Sequence, residues 1–364
     1  MLAGLSPAAE LDRSRVVLEE HDIPCGPLPA KHETHAATLT ETRDGAMLAA
    51  WFGGTGENDA NVKIWLSRKE ADEEAWEEPS IVDTGNRMID GVEKEFACWN
   101  PVLFTHPSDG TVYLYYKITG LTEDKGYRNW WGAVKTSDDG GKTWSNRIWL
   151  PEIPAEGRSD AFDPYAGRAA GPVKNRPLVL PDGSLLCGSS TESDSQGWRL
   201  HFELYQGGDW TGQKHGVKII GPMVRGMKGI QPSFLVHDRK TMKKLQVLTR
   251  EDGTAWSEDG GLSWTEVTKG PIDTSKGLHA VSDRNSDWHF LAFNPTGRTP
   301  LSLARSRDGK SWETVVTELS KDGKGKMDYP SMMQTRDGKL HVVHSWHRSH
   351  IRHLVLDAAY LAKK

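Results

Sequence analysis

The chain has 364 residues, 37% hydrophobic and 26% charged, which is enough apolar material for a sizeable core and, on length alone, for two domains. A formal net charge of −5 supplies no general basic field, so a nucleic-acid partner is not expected. No apolar run approaches the ~18 residues of a membrane-spanning helix. Residues 1–15 lack the basic stretch and apolar stretch of a secretory signal. The residues given therefore read as soluble, with the compartment open between cytoplasm and, if a leader has been removed, periplasm or exterior. Cys25, Cys98 and Cys187 are an odd, widely spaced set with no CxxC pair, so no disulfide framework is expected.

Residues 1–31 carry Pro24, Pro27 and Pro29, which argue against a long helix, and they are expected to supply a strand or strap that closes the remainder of the fold. From residue 32 to 364 one order of features recurs: a polar residue, a proline or small residue, an apolar strand, an Asp/Gly turn, and further strands. The first strands of six such units begin at His35-Ala36, Asn100-Pro101, Arg176-Pro177, Gln231-Pro232, His279-Ala280 and Tyr329-Pro330. Hairpin turns come next at Asp44-Gly45, Asp109-Gly110, Asp182-Gly183 and Asp337-Gly338. Three units then carry a second turn of one type, at 137–144, 257–264 and 306–312, each running from a serine through Asp-Gly to a tryptophan. Degenerate copies end at Trp76 and Trp210. In this turn the aspartate before glycine accepts hydrogen bonds from its own backbone, and glycine supplies positive φ. A small antiparallel sheet cannot bury both faces alone. Six stacked radially do so, which predicts an all-β six-bladed β-propeller of four-stranded antiparallel blades and no second domain.

The innermost strands of a propeller run along its central channel, so equivalent positions at their starts converge on one mouth. That column reads His35, Asn100, Arg176, Gln231, His279 and Tyr329, every one polar. Buried polar groups cost free energy unless paired, which favours a polar ligand site. The ends of the second strands add Glu57, Asp59, Lys117, Glu192, Arg250, Arg298 and Arg348. Guanidinium forks match carboxylate or sulfate in two-point fashion, and with an acidic chain overall an acidic sugar is the expected partner.

These serine-to-tryptophan turns in a six-unit chain resemble the Asp-box (BNR) repeats of the sialidase, or neuraminidase, superfamily, over about residues 32 to 357. The resemblance implies an exo-glycosidase acting on a terminal acidic sugar, sialic acid or a related keto-acid sugar, without an organic cofactor and with structural calcium left open. It implies three arginines on the substrate carboxylate, two of them matched by Arg250 in 248–251 and Arg298 in 296–300. The family's tyrosine nucleophile is matched by Tyr329 in 328–331, and its acid/base by Glu57 or Asp59 in the loop 53–59. Two positions depart from the pattern. His35 stands where the first arginine is expected, and Gln231 where a glutamate activates the tyrosine. A base would then come from Glu192 or Glu203, and Arg176 is the candidate for the third arginine.

The departures open a second chemistry, in which His35 or His279 with Tyr329 performs β-elimination on a uronate neutralised by Arg250 and Arg298. A third reading is a non-catalytic carbohydrate-binding propeller, with Trp51, Trp99, Trp130, Trp131 and Trp346 either stacking on sugars or packing the blades. No metal site is expected. His341, His344, His347, His350 and His353 recur every third residue, whereas a strand alternates with period two. His32 and His35 lack the helical spacing of zinc-binding pairs, and the acidic run from Glu70 to Glu78 reads as a solvated insertion.

Overall fold

Asp-Gly turns set where each strand reverses, and the alternation of side chains then decides what each sheet must bury. The computed structural model describes residues 10–120, 130–151, 170–193, 197–220, 229–320 and 325–363, with the backbone alone for 191–193 and 197–199. The strands form six four-stranded antiparallel sheets, the blades of a β-propeller, and one two-stranded hairpin of Arg87–Ile89 with Val92–Lys94. In chain order the innermost strands of the blades are Glu33–Glu41, Cys98–Thr105, Leu178–Val179, Ile230–Val236, Leu278–Ser282 and Met327–Gln334. In blades 1 to 5 the four strands are consecutive in sequence. Blade 6 has only three such strands, and its fourth comes from the N-terminal region. Val17–Ile23 pairs antiparallel with His350–Leu356, placing Glu20 opposite Leu354 and Ile23 opposite Ile351. Among the described residues no helix is long and apolar enough to cross a membrane.

Six apolar seams hold the ring. Leu48, Phe52 and Ile64 of blade 1 pack with Leu103, Leu114 and Tyr116 of blade 2. Their chain neighbours Val102 and Tyr115 point the other way, to Leu185, Cys187 and Tyr205 of blade 3. The same alternation sends Leu186 of blade 3 to Phe234 and Val247 of blade 4, while Leu235 and Leu248 of blade 4 meet Leu278 and Leu291 of blade 5. Phe290 and Leu303 of blade 5 then join Met332 and Leu354 of blade 6, and Met333 and Val343 close onto Leu39 and Trp51 of blade 1. Trp51, Trp99, Trp130 and Trp346 are all buried within these seams, so their surface goes to blade packing.

The repeated turns lie between third and fourth strands. Asp139 Oδ1 accepts from the backbone N–H of Thr143 at 2.9 Å and of Lys142 at 3.0 Å, and Oδ2 accepts from the Thr143 hydroxyl at 2.6 Å. Those hydrogen bonds, the Thr143 hydroxyl first, hold the Asp139 carboxyl well below the usual carboxylate range. Asp259 repeats the arrangement with Ser263, and Asp308 with Ser311 and Lys310. The second glycine of the turn faces the preceding blade: a Cβ at Gly261, where φ is +89°, would meet Leu186 Cδ2 at 2.6 Å. Gly183, in a hairpin turn with φ +81°, has open space around it. Gly261→Ala is therefore expected to lower the unfolding free energy by about 1 kcal/mol or more beyond the loss caused by Gly183→Ala. Equal losses by urea denaturation would show that the turn does not press on its neighbouring blade.

Candidate functional site

The polar residue before proline in the sequence marks a β-bulge. At the start of four innermost strands two residues face one on the partner, between His35 and Thr38, Trp99 and Val102, Ile230 and Ser233, and Asp328 and Ser331. The first bulged residue has positive φ in each case: Ala36 at 54°, Asn100 at 41°, Gln231 at 53° and Tyr329 at 57°. The second is Ala37, Pro101, Pro232 or Pro330, and proline fits there because a bulge leaves a ladder donor unused. This register corrects the column. In blade 1 the bulge position is Ala36, and His35 is the equivalent of Asp328. In blade 3 the positive-φ residue ahead of the innermost strand is Lys174, at 68°, not Arg176. In blade 5 the ladder runs unbroken through His279, opposite Ala292.

Tyr329 is the centre of the resulting cluster. Its hydroxyl oxygen accepts from Arg250 Nη1 at 2.8 Å and from Gln231 Nε2 at 3.0 Å. The guanidinium carbons of Arg250 and Arg298 lie 5.7 and 5.8 Å from its ring centroid, and the His35 ring lies 4.1 Å away at 45°. Arg250 ends the second strand of blade 4, and Arg298 and Arg348 lie just beyond the second strands of blades 5 and 6, so one blade position repeated three times supplies the three guanidinium groups. Arg298 Nη1 is bonded to Asp328 Oδ2. Arg348 Nη1 reaches Glu57 Oε2 at 2.7 Å and Glu33 Oε2 at 3.0 Å, while its Nη2 lies 3.4 Å from His35 Nε2. With that nitrogen accepting, His35 Nδ1 donates to Ser345 Oγ at 2.8 Å. Gln231 Oε1 is buried without a hydrogen-bond partner among the described residues.

The electrostatics reflect so many cations in one place. Burial, and then Arg348, Arg298, Arg250 and Lys174, push His35 well below the ordinary histidine range, so it is neutral. Burial and the nearby Arg250 likewise lower Lys174, whose Nζ donates to the carbonyls of Leu278, at 3.1 Å, and Pro330, bridging blades across the axis. Burial also lowers Arg298. Although burial opposes its charge, Glu57 and Glu33 hold Arg348 above its ordinary range.

The remaining sequence candidates fall elsewhere. Asn100 occupies the blade 2 bulge and is 5% exposed. Asp59 is exposed and accepts from the Thr55 hydroxyl at 2.6 Å, so of the two loop carboxylates it is Glu57 that joins the arginines. Lys117 is buried where blade 2 meets blade 3, its Nζ donating to the carbonyls of Ala170 and, at 2.9 Å, Gly171, and burial pushes it down to about 8. Glu203 lies in that seam too, held by His201 at 2.9 Å and Tyr205 at 3.0 Å, and does not touch the Tyr329 hydroxyl. The side chain of Glu192 lies outside the described residues. Arg176 and His279 line a cavity whose other walls include Glu41, Thr105, Val236 and Gln334, at the far ends of the innermost strands, so Arg176 is not the third arginine of the Tyr329 end. Lys174, Asp328 and Glu33 were missed by the sequence reading; the first two sit beside residues it singled out, and only the bulge register separates them. Among the described residues no group of three His, Cys, Asp or Glu side chains is placed to hold a metal ion.

Comparison with known proteins defines the class. The structure superposes on a protein of unknown function from Dyadobacter fermentans with a TM-score of 0.70 and 16% identity, over 94% of this chain and 98% of that one. It superposes on Trypanosoma rangeli sialidase in complex with the inhibitor DANA with a TM-score of 0.68 and 15% identity, over 93% of this chain and 58% of that one. For the intramolecular trans-sialidase from Ruminococcus gnavus in complex with oseltamivir carboxylate the values are 0.64 and 11%, over 91% and 96%. The fold is thus the six-bladed propeller of sialidases. No curated protein matches the sequence. The BNR repeat-like domain model matches residues 45–342, and the chain belongs to that family.

His35 and His279 are both neutral because burial among cations depresses them, His279 through burial, Lys174 and Arg176. The unfolded chain binds their protons below about pH 6.5 and the folded chain does not, so the stability they contribute is complete above that pH and is lost as pH falls. Nitrogen-15 shifts of both rings are expected to report neutral imidazole at about pH 5.5. A charged ring at either position would contradict this setting.

Proposed function

We propose that the protein is a sialidase-like exo-glycosidase, hydrolysing a terminal acidic sugar, sialic acid or a related keto-acid sugar, from a glycoconjugate or polysaccharide. The observation that carries this reading is the placement of Arg250 and Arg298, 5.7 and 5.8 Å from the Tyr329 ring, with Arg250 on its hydroxyl. A carboxylate held by these guanidinium groups and Arg348 brings an attached anomeric carbon to the phenol oxygen. A phenol attacks such a carbon without the repulsion that a carboxylate nucleophile meets. The charge that develops on the oxygen as its proton passes to water meets Arg250, already 2.8 Å away. Glu57, exposed at the mouth, takes a proton from solvent when the substrate carboxylate replaces it on Arg348, passes that proton to the leaving oxygen and then takes one from the attacking water. The partnerless Gln231 Oε1 is a ready acceptor for a sugar hydroxyl. Shared fold with the sialidases of T. rangeli and R. gnavus supports the substrate class.

One observation favours a second reading. Both named partners of the Tyr329 oxygen are N–H donors, and Gln231 is not a base. That environment also suits a tyrosine oxygen abstracting the proton beside a uronate carboxylate, with β-elimination as the outcome. The experiment is release of the aryl group from ketosides of sialic acid, beside incubation with a 4-O-linked uronate oligosaccharide monitored in the ultraviolet for an unsaturated uronate. Release from a sialic acid ketoside is expected, falling on the order of a thousandfold in Tyr329→Phe with the fold intact by circular dichroism. Arg298→Met is expected to raise KM about tenfold or more, a loss of ~1.4 kcal/mol. An ultraviolet product would establish elimination instead, and turnover unchanged by Tyr329→Phe would overturn both readings.

A further inference from the structure

The channel has a second end, and catalysis at Tyr329 leaves it unused. There the innermost strands finish around a cavity of about 600 Å³, within the ordinary range of small-molecule sites. Its lining combines the apolar Phe104, Leu178 and Phe234 with four arginines, Arg43, Arg176, Arg284 and Arg336. Arg336 is neutralised, its Nε donating to Glu41 Oε1 at 3.1 Å. Arg176 is not. Its guanidinium lies 5.2 Å from the Phe104 ring centroid, and its Nη1 donates to Met333 Sδ at 3.2 Å, a weak acceptor. No carboxylate pairs with Arg176 or Arg284 among the described residues. Burial, with the like charge of Arg284 and against the attraction of Glu41, pushes Arg176 down to about 10. A half-buried guanidinium whose named partners are a thioether and a ring face keeps N–H donors that an entering anion would satisfy.

We propose that this cavity is a second ligand site, taking a small carboxylate or phosphate anion with an apolar body, its charged end on Arg176 and Arg284 and its body against Phe104 and Phe234. The site is separate from the Tyr329 cluster and independent of the chemistry assigned to it. A carboxylate or phosphate gives the Arg176 fork the two-point acceptor it lacks, and the aromatic wall distinguishes an anion with a body from a bare one.

The test is titration of the full chain, carrying carbon-13 methionine methyls, with phenyl phosphate, benzoate and inorganic phosphate. Met333 touches Arg176 and is a local reporter. A saturable shift of the Met333 methyl is expected with phenyl phosphate or benzoate. Arg176→Met should weaken it about tenfold or more, and Arg176→Lys, which keeps the charge and loses the fork, should weaken it severalfold. Tyr329→Phe should leave it unchanged. No saturable shift with any of the three anions would overturn the proposal, as would an unaltered midpoint in Arg176→Lys. Binding of inorganic phosphate as tight as that of phenyl phosphate would overturn the part played by the aromatic wall.

Discussion

A four-stranded sheet with two apolar faces has nowhere to put the second face except against another sheet, and this chain meets that constraint six times in succession. Val102 and Leu103 are neighbours in sequence yet belong to different seams, as do Tyr115 and Tyr116 and Leu185 and Leu186. Each blade is thereby a shared wall, and the ring is stable only as a closed set. Everything at the axis depends on that closure, because Lys174 and Tyr329 come from blades that are not neighbours in the ring and meet across it.

Within that frame the bulge is the device that makes a site. A regular ladder would send the residues at the starts of the innermost strands alternately into the two seams, whereas one added residue with positive φ breaks the alternation and turns a side chain toward the axis. Blades 4 and 6 use it for Gln231 and Tyr329, which meet through one hydrogen bond of 3.0 Å. Charge is then paired round the mouth: Arg348 of blade 6 meets the carboxylates Glu33 and Glu57 of blade 1, and Arg298 of blade 5 meets Asp328 of blade 6. Neutral His35 lies between the Tyr329 ring and Arg348.

Much of this was legible in the sequence, for identifiable reasons. Asp-Gly and the closing tryptophan are local signals, since the carboxylate bonds its own turn, and they phase the blades without any knowledge of tertiary structure. Proline after a polar residue is local too, and it located Asn100, Gln231 and Tyr329 correctly. The same signal failed where its chemistry was different. Blade 1 has Ala37 in place of proline, which shifted the reading by one residue to His35. In blade 3 Pro177 lies beyond the positive-φ residue Lys174, which moved Arg176 into a column from which the structure removes it by the length of a strand. Side-chain direction near a bulge depends on register with the neighbouring strand, and register is a pairwise property that a single strand does not encode. Arg348 is legible as a residue beyond the end of a second strand, but its partnership with His35 joins two residues 313 apart in sequence.

The last blade is closed by the pairing of Val17–Ile23 with His350–Leu356, segments far apart in the sequence. During synthesis the first of these has no partner until residues 350–356 have left the ribosome. Blades 1 to 5 are each complete as soon as their own residues are available, so they are free to form in order while one strand stays unmatched. Completion of the ring, and with it of the arginine cluster to which blade 6 contributes, consequently waits for residues 350–356, and a polypeptide stalled before residue 350 would carry an exposed strand in search of another edge.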